Sequence, residues 1–192
     1  MSARKAELLE AAYRYVLEHG LGDMSLRPLA AAVGSSPRVL LFLFGSKEGL
    51  IRELIARSRV DELAVLDRVR GHGTSGDLHS VGAAIWTWLS TPGHKALLIL
   101  WLEAYSRSLV EPDGPWAGFA AQTVRDWLAV LDGIGGSDPT AGDPTVSDQA
   151  SSTLLLAVLR GALIDLLATG DVERVTAAVL LHLETVKTEA RA

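Results

Sequence analysis

The sequence predicts an all-α fold of about nine helices. Apolar residues recur at three- and four-residue steps along nearly the whole chain. No stretch alternates apolar and polar residues as a half-buried strand would. Ser, Thr, Asp, Gly and Pro stand where helices start and stop. The chain has 192 residues, 48% hydrophobic and 21% charged, which suits a sizeable buried core and not a disordered chain. The absence of cysteine excludes a disulfide framework, a thiol nucleophile, an iron–sulfur cluster and thiolate zinc sites.

Leu9, Ala12 and Val16, widened by Leu8, Ala11 and Leu17, form a first helix that Gly20 and Gly22 stop. Ser25 caps a second over Leu26 to Val33. Its Pro28 falls in the first turn, where a missing N–H is harmless, and Gly34 ends it. Ser36 and Pro37 restart a helix as N-cap and first helical residue, and Gly45 breaks it. Ser46 caps a longer helix from Lys47 to about Arg70. A loop over Gly71 to Gly76 precedes a helix from Asp77 to Ser90, and Thr91-Pro92 opens one ending near Leu109. Pro112 to Pro115 is a loop before a helix over Trp116 to Leu131. Four glycines and a proline between Gly133 and Asp143 predict a mobile linker. Two long helices, Ser147 to Ala168 and Asp171 to Glu189, close the chain around Thr169-Gly170.

The longest uninterrupted apolar run, Ala96 to Leu102, is far short of the ~20 residues that cross a bilayer. Glu7 and Glu10 directly follow Arg4 and Lys5, which leaves no secretory apolar core. The expectation is a cytoplasmic protein with no membrane partner. Net charge is −5, but unevenly spread: residues 1–59 hold nine Lys/Arg against six Asp/Glu, and residues 60–192 hold nine against seventeen. A basic head on an acidic body can meet a polyanion end-on.

Between Gly22 and Gly45, two short helices joined by Gly34-Ser35-Ser36 have the size of a helix-turn-helix, whose second helix enters the major groove. Spacing alone equally allows an ordinary helical hairpin in a bundle core. The stretch MSLRPLAAAVGSSPRVLLFLFGSKEGL, Met24 to Leu50, resembles the DNA-binding signature of the TetR family of bacterial transcriptional regulators. Ser25, Ala30-Ala31-Ala32, Gly34, Ser36, Phe44 and Ser46-Lys47-Glu48 carry the resemblance. It implies a DNA-binding domain over residues 1–46 and an effector-binding and dimerisation domain over 47–192, linked by the helix starting at Lys47. It also implies a double-stranded DNA operator, a homodimer, a small organic effector, no cofactor and no metal.

In that frame Arg38 suits a guanine, while Ser36, Arg27 and Lys47 suit phosphates and Pro37 starts the recognition helix. Arg4 and Lys5 add sequence-independent attraction. One departure stands out: the family commonly has Tyr and His in the last turn of this helix, whereas here stand Leu41, Phe42 and Leu43. Leu40 and Phe44 fit the core, and the three between them cannot all be buried on one face. Either the exposed ones form an apolar recognition surface, with Leu41 and Phe42 its candidates, or they are harmless.

From Leu154 to Leu167 the only charged residues are Arg160 and Asp165, so that helix is buried on more than one side. The faces carrying Leu155, Leu159, Ala162 and Leu166, then Val175, Val179 and Leu183, are either core of one subunit or a four-helix interface with a second copy; the latter is the expectation. All five tryptophans lie between residues 86 and 127. Periodicity alone reads them as core, but the resemblance implies an effector cavity there, with Trp86, Trp101, Tyr105 and Trp127 as candidate lining. Glu103, Arg107 and Asp126 are near enough in sequence to orient a polar group.

Enzyme readings fail on context. Gly71 to Gly76 formally matches the dinucleotide fingerprint but follows a charged helical stretch instead of a strand. There is no P-loop, nucleophile elbow or metal-ligand histidine spacing. The expected function is a ligand-responsive DNA-binding regulator, a repressor before an activator; the alternative is a helical small-molecule-binding protein without DNA function.

Overall fold

A computed structural model describes residues 2–22, 24–72, 77–135 and 146–189. Among the described residues are nine α-helices and no strand. They are α1 (Ala3–His19), α2 (Leu26–Ala32), α3 (Pro37–Phe44), α4 (Lys47–His72), α5 (Leu78–Leu89), α6 (Lys95–Val110), α7 (Phe119–Gly135), α8 (Val146–Thr169) and α9 (Val172–Glu189). The all-α expectation holds, and the caps follow the sequence signals. Ser2, Ser36 and Asp77 accept hydrogen bonds from the backbone N–H groups of Lys5, Val39 and Ser80. Ser25 stands at its N-cap position without a side-chain cap bond.

Boundaries differ in four places. A 3₁₀ turn, Pro92–His94, precedes α6. α7 begins at Phe119 and not Trp116, because Gly118 takes a positive φ of 75° that no helical residue adopts. α4 continues to His72 and α7 to Gly135, so the ends of both expected loops are helical. The rest of the glycine-rich match at 73–76, and of the linker at 136–145, lies outside the described residues.

The chain divides into two compact units. The first comprises residues 1–63 with 96–122, and so joins α1–α3 and most of α4 to α6. Its core interleaves Leu8, Ala12, Leu29, Leu40, Phe44 and Leu54 with Leu100, Ala104, Trp116 and Phe119. The helix-turn-helix region therefore shares one hydrophobic core with α6. Glu103 on α6 accepts the backbone N–H of Leu21 at 2.9 Å and so ties α6 to the loop after α1. α1 is bound to α4 by a polar cluster: the Tyr13 hydroxyl donates to Asp61 at 2.8 Å, and Arg57 donates to Glu10 at 2.6 Å and Asp61 at 2.7 Å. Arg57 also lies over the Tyr13 ring, 4.7 Å from its centroid.

The second unit comprises residues 64–95 and 123–192. In it α5 packs on α8 and α9, which pack on each other. Gly82 is buried, and a Cβ there would stand 2.6 Å from Leu183 Cδ2 and 3.1 Å from Leu155 Cδ1. The Trp86 indole N–H donates to Thr176 Oγ1 at 2.9 Å. Arg174 reaches both oxygens of Asp165, at 2.8 and 2.7 Å, and holds that carboxyl below the usual range.

The packing shows how much of the expected pair interface its own chain already covers. Leu155, Leu159, Val175, Val179 and Leu183 are buried within their own subunit, and Ala162 and Leu166 are half-buried. The outward face of α8 instead carries Leu154, Ala157, Gly161 and Ile164, and that of α9 carries Leu180 and Leu181. By length and composition alone, Gln149–Thr169 of α8 is apolar enough to cross a membrane, although no single run showed it.

Candidate nucleic-acid interface

The turn between α2 and α3 is built by backbone hydrogen bonds and one glycine. Val33 N–H donates to Leu29 at 3.0 Å, and Ser35 N–H reaches back to Ala30 at 2.8 Å. Gly34 takes φ 62° between them, a left-handed residue that turns the chain after α2. Ser36 caps α3 with its hydroxyl 3.3 Å from Val39 N, and Pro37 supplies a first residue that needs no partner. Gly45 ends α3 with φ 80°, its N–H donating to Leu41 at 2.8 Å.

Packing then selects which side of α3 faces out. Leu40 and Phe44, four residues apart, enter the core with Leu29 and Ala30 of α2. Leu43 is half-buried against the same cluster. Arg38, Val39, Leu41 and Phe42 are exposed, and Phe42 is 85% exposed. Leu41 and Phe42 are thus the residues of the apolar run that the core leaves outside.

Cations stand on all three helices of this region, Arg27 on α2, Arg38 on α3 and Lys47 at the start of α4. Arg27 and Arg38 are exposed and Lys47 half-exposed, none ion-paired to a described residue. Ser46 caps α4 by accepting Gly49 N–H at 3.0 Å. At that helix end the Glu48 carboxyl is held below its usual range, first by its own backbone N–H and then by Ser46. Arg4 and Lys5 are less available than expected. Lys5 binds Glu53 at 2.7 Å and lies over the Phe44 ring, and Arg4 binds Glu7 at 3.1 Å.

The expected effector residues fall in different surroundings. Trp86 and Trp127 are buried in the second unit, and Trp101 and Tyr105 are half-buried in the first, packed against its core. Arg107 binds Glu111 at 2.9 Å. Among the described residues no cluster of three or more His, Asp or Glu could hold a metal ion. Sequence reasoning missed the Glu10–Tyr13–Arg57–Asp61 cluster and the Leu21–Glu103 tie. Only the i,i+4 spacing of Arg57 and Asp61 gave a local signal for either.

Residues 8–54 match the family model for bacterial regulatory proteins of the tetR family. No curated protein matches the sequence. The fold is shared with a TetR transcriptional regulator from Legionella pneumophila (TM-score 0.70, 18% identity, covering 96% of this chain and 97% of that one). It is shared too with a TetR transcription regulator from Haloarcula marismortui (0.69, 20%, 98% and 98%). A third likeness is to a transcriptional regulator from Saccharomonospora viridis solved in complex with choline (0.71, 20%, 96% and 95%). Over residues 8–54 this chain thus carries the sequence of the tetR-family helix-turn-helix, and over its whole length it shares the fold of solved TetR regulators.

Proposed function

We propose that the protein is a repressor that binds a palindromic DNA operator as a homodimer and leaves it when a small organic molecule binds. The observation that carries the DNA reading is the outward face of α3. It is pinned from behind by Leu40 and Phe44 and carries the exposed Arg38, with the exposed Arg27 on α2 and the half-exposed Lys47 at the start of α4. Arg38 contacts a base edge; Ser36, Arg27 and Lys47 position the duplex through phosphates. A twofold pair would meet half-sites about 34–36 Å apart or a multiple of that.

The choline complex of the Saccharomonospora viridis protein supports a small-molecule effector. Trp101 and Tyr105 keep accessible surface and are its first candidate contacts, ahead of the covered Trp86 and Trp127. The effector can release DNA only by binding the non-DNA conformation more tightly.

The test is a mobility shift of the full-length protein on the intergenic DNA beside its own gene, with a salt titration. A shifted band whose affinity falls with salt supports the reading. No shift, with tryptophan quenching by a compound panel, overturns it in favour of a ligand-binding protein without DNA function.

A further inference from the structure

We infer that the recognition surface selects its operator through the methyl group of thymine, met by Phe42 with Leu41 beside it. The inference rests on the DNA-binding reading above and specifies what that site recognises. α3 reads Pro-Arg-Val-Leu-Leu-Phe-Leu-Phe, so Arg38 is its one polar side chain. Phe42 stands 85% exposed although the same helix has a core for Leu40 and Phe44. Folding gains almost nothing from an aromatic ring left in water.

In the major groove, adenine, guanine and cytosine present only hydrogen-bond donors and acceptors. Thymine alone adds an apolar methyl. The outward face past Arg38 has no amide, hydroxyl or carboxylate to pair with the polar edges. The methyl is the one base feature that Phe42 and Leu41 can cover without leaving a polar group unpaired.

The surrounding charge decides the occupant. Arg38 shares the exposed face of α3 with Phe42, Arg27 is exposed on α2 and Lys47 opens α4, and none of them is ion-paired to a described residue. A second copy seated on this face would bring identical cations against them, whereas a duplex neutralises them. Arg38 and Phe42 are one helical turn apart, about 6 Å along the axis. That spans about two base steps of about 3.4 Å. A guanine read by Arg38 and a thymine read by Phe42 therefore lie within about two base pairs of each other in each half-site.

The experiment selects duplexes from a random-sequence pool with the full-length protein. The enriched duplex is then compared by fluorescence anisotropy with the same duplex carrying deoxyuridine in place of the enriched thymine. The expected result is an enriched thymine within two pairs of a guanine and, across two half-sites, a roughly tenfold loss with deoxyuridine. Phe42→Ala should bind both duplexes equally while keeping the wild-type melting temperature, since the ring is exposed. Equal wild-type affinity for thymine and deoxyuridine, or an undiminished thymine preference in Phe42→Ala, overturns the inference and leaves DNA binding intact. A lower oligomeric state of Phe42→Ala in sedimentation would assign the ring to a second copy and also overturn it. Failure to enrich any duplex, with no salt-dependent binding, overturns the DNA reading itself.

Discussion

The proposed DNA-binding reading gives Arg38 and Lys47 different work. Arg38 sits in the first turn of α3 on the face that also carries Phe42, so Arg38→Ala should lower discrimination at one base pair by about 1–3 kcal/mol and leave non-specific binding nearly intact. On the proposed reading Lys47, at the start of the following helix, contacts a phosphate. Its removal should weaken selected and scrambled duplexes alike and reduce the logarithmic salt slope by about one per subunit. Anisotropy on both duplexes across a salt series separates the two. Tyr13 is a different kind of residue, buried and donating to Asp61. Burial first, then that hydrogen bond, pushes its phenol far above the ordinary range. The unfolded phenol releases its proton near pH 10 while the folded one keeps it, so the stabilisation is whole below about pH 10 and declines above it. Tyr13→Phe should lose about 1–2 kcal/mol at pH 8 and show a smaller further loss at pH 10.5 than the wild type, measured by urea midpoints.

Elements were legible where their signals are local. Ser36-Pro37 and Gly45 bracket α3 in the sequence as in the structure, because a cap, a preset φ and a left-handed residue each act within one turn. The start of α7 was not legible, since Trp116 is as good a helix residue as Phe119 and only the conformation of Gly118 decides between them. Nor was the membership of α6 in the first unit, because the Leu21–Glu103 hydrogen bond joins residues 82 apart and leaves no periodic trace. Gly82 illustrates the same limit. In sequence it is a weak helix residue, but in the structure it lets α5 press onto Leu155 and Leu183. Gly82→Leu should destabilise the protein by about 1–3 kcal/mol despite a better helix propensity, as calorimetry of the variant would show. Gly34→Ala meets no neighbouring atom within 4 Å, so its cost, about 1–2 kcal/mol, should come from φ alone.

At the scale of the whole molecule, the apolar periodicity of α8 and α9 showed that faces were buried without showing by what. Leu155, Leu159, Val175, Val179 and Leu183 turned out to be covered by their own subunit, and that leaves a second set of apolar residues facing outward. On α8, Leu154, Ala157, Gly161 and Ile164 recur at three- and four-residue steps, and Leu180 and Leu181 stand out from α9. One helix with two apolar faces has two bodies to meet, and the small residues Ala157 and Gly161 let a second backbone come close. If a copy of the chain covers this outward face, two kinds of substitution must separate. Ile164→Asp with Leu181→Asp should yield a folded monomer in sedimentation velocity, with operator affinity reduced to that of a single half-site. Leu159→Ala should leave the dimer intact and lower its unfolding free energy by about 2–5 kcal/mol. A monomeric Leu159→Ala, or a dimeric double aspartate variant, would return the interface to the inner stripe. The periodicity alone could not make that distinction, because it is the same on both sides of the helix.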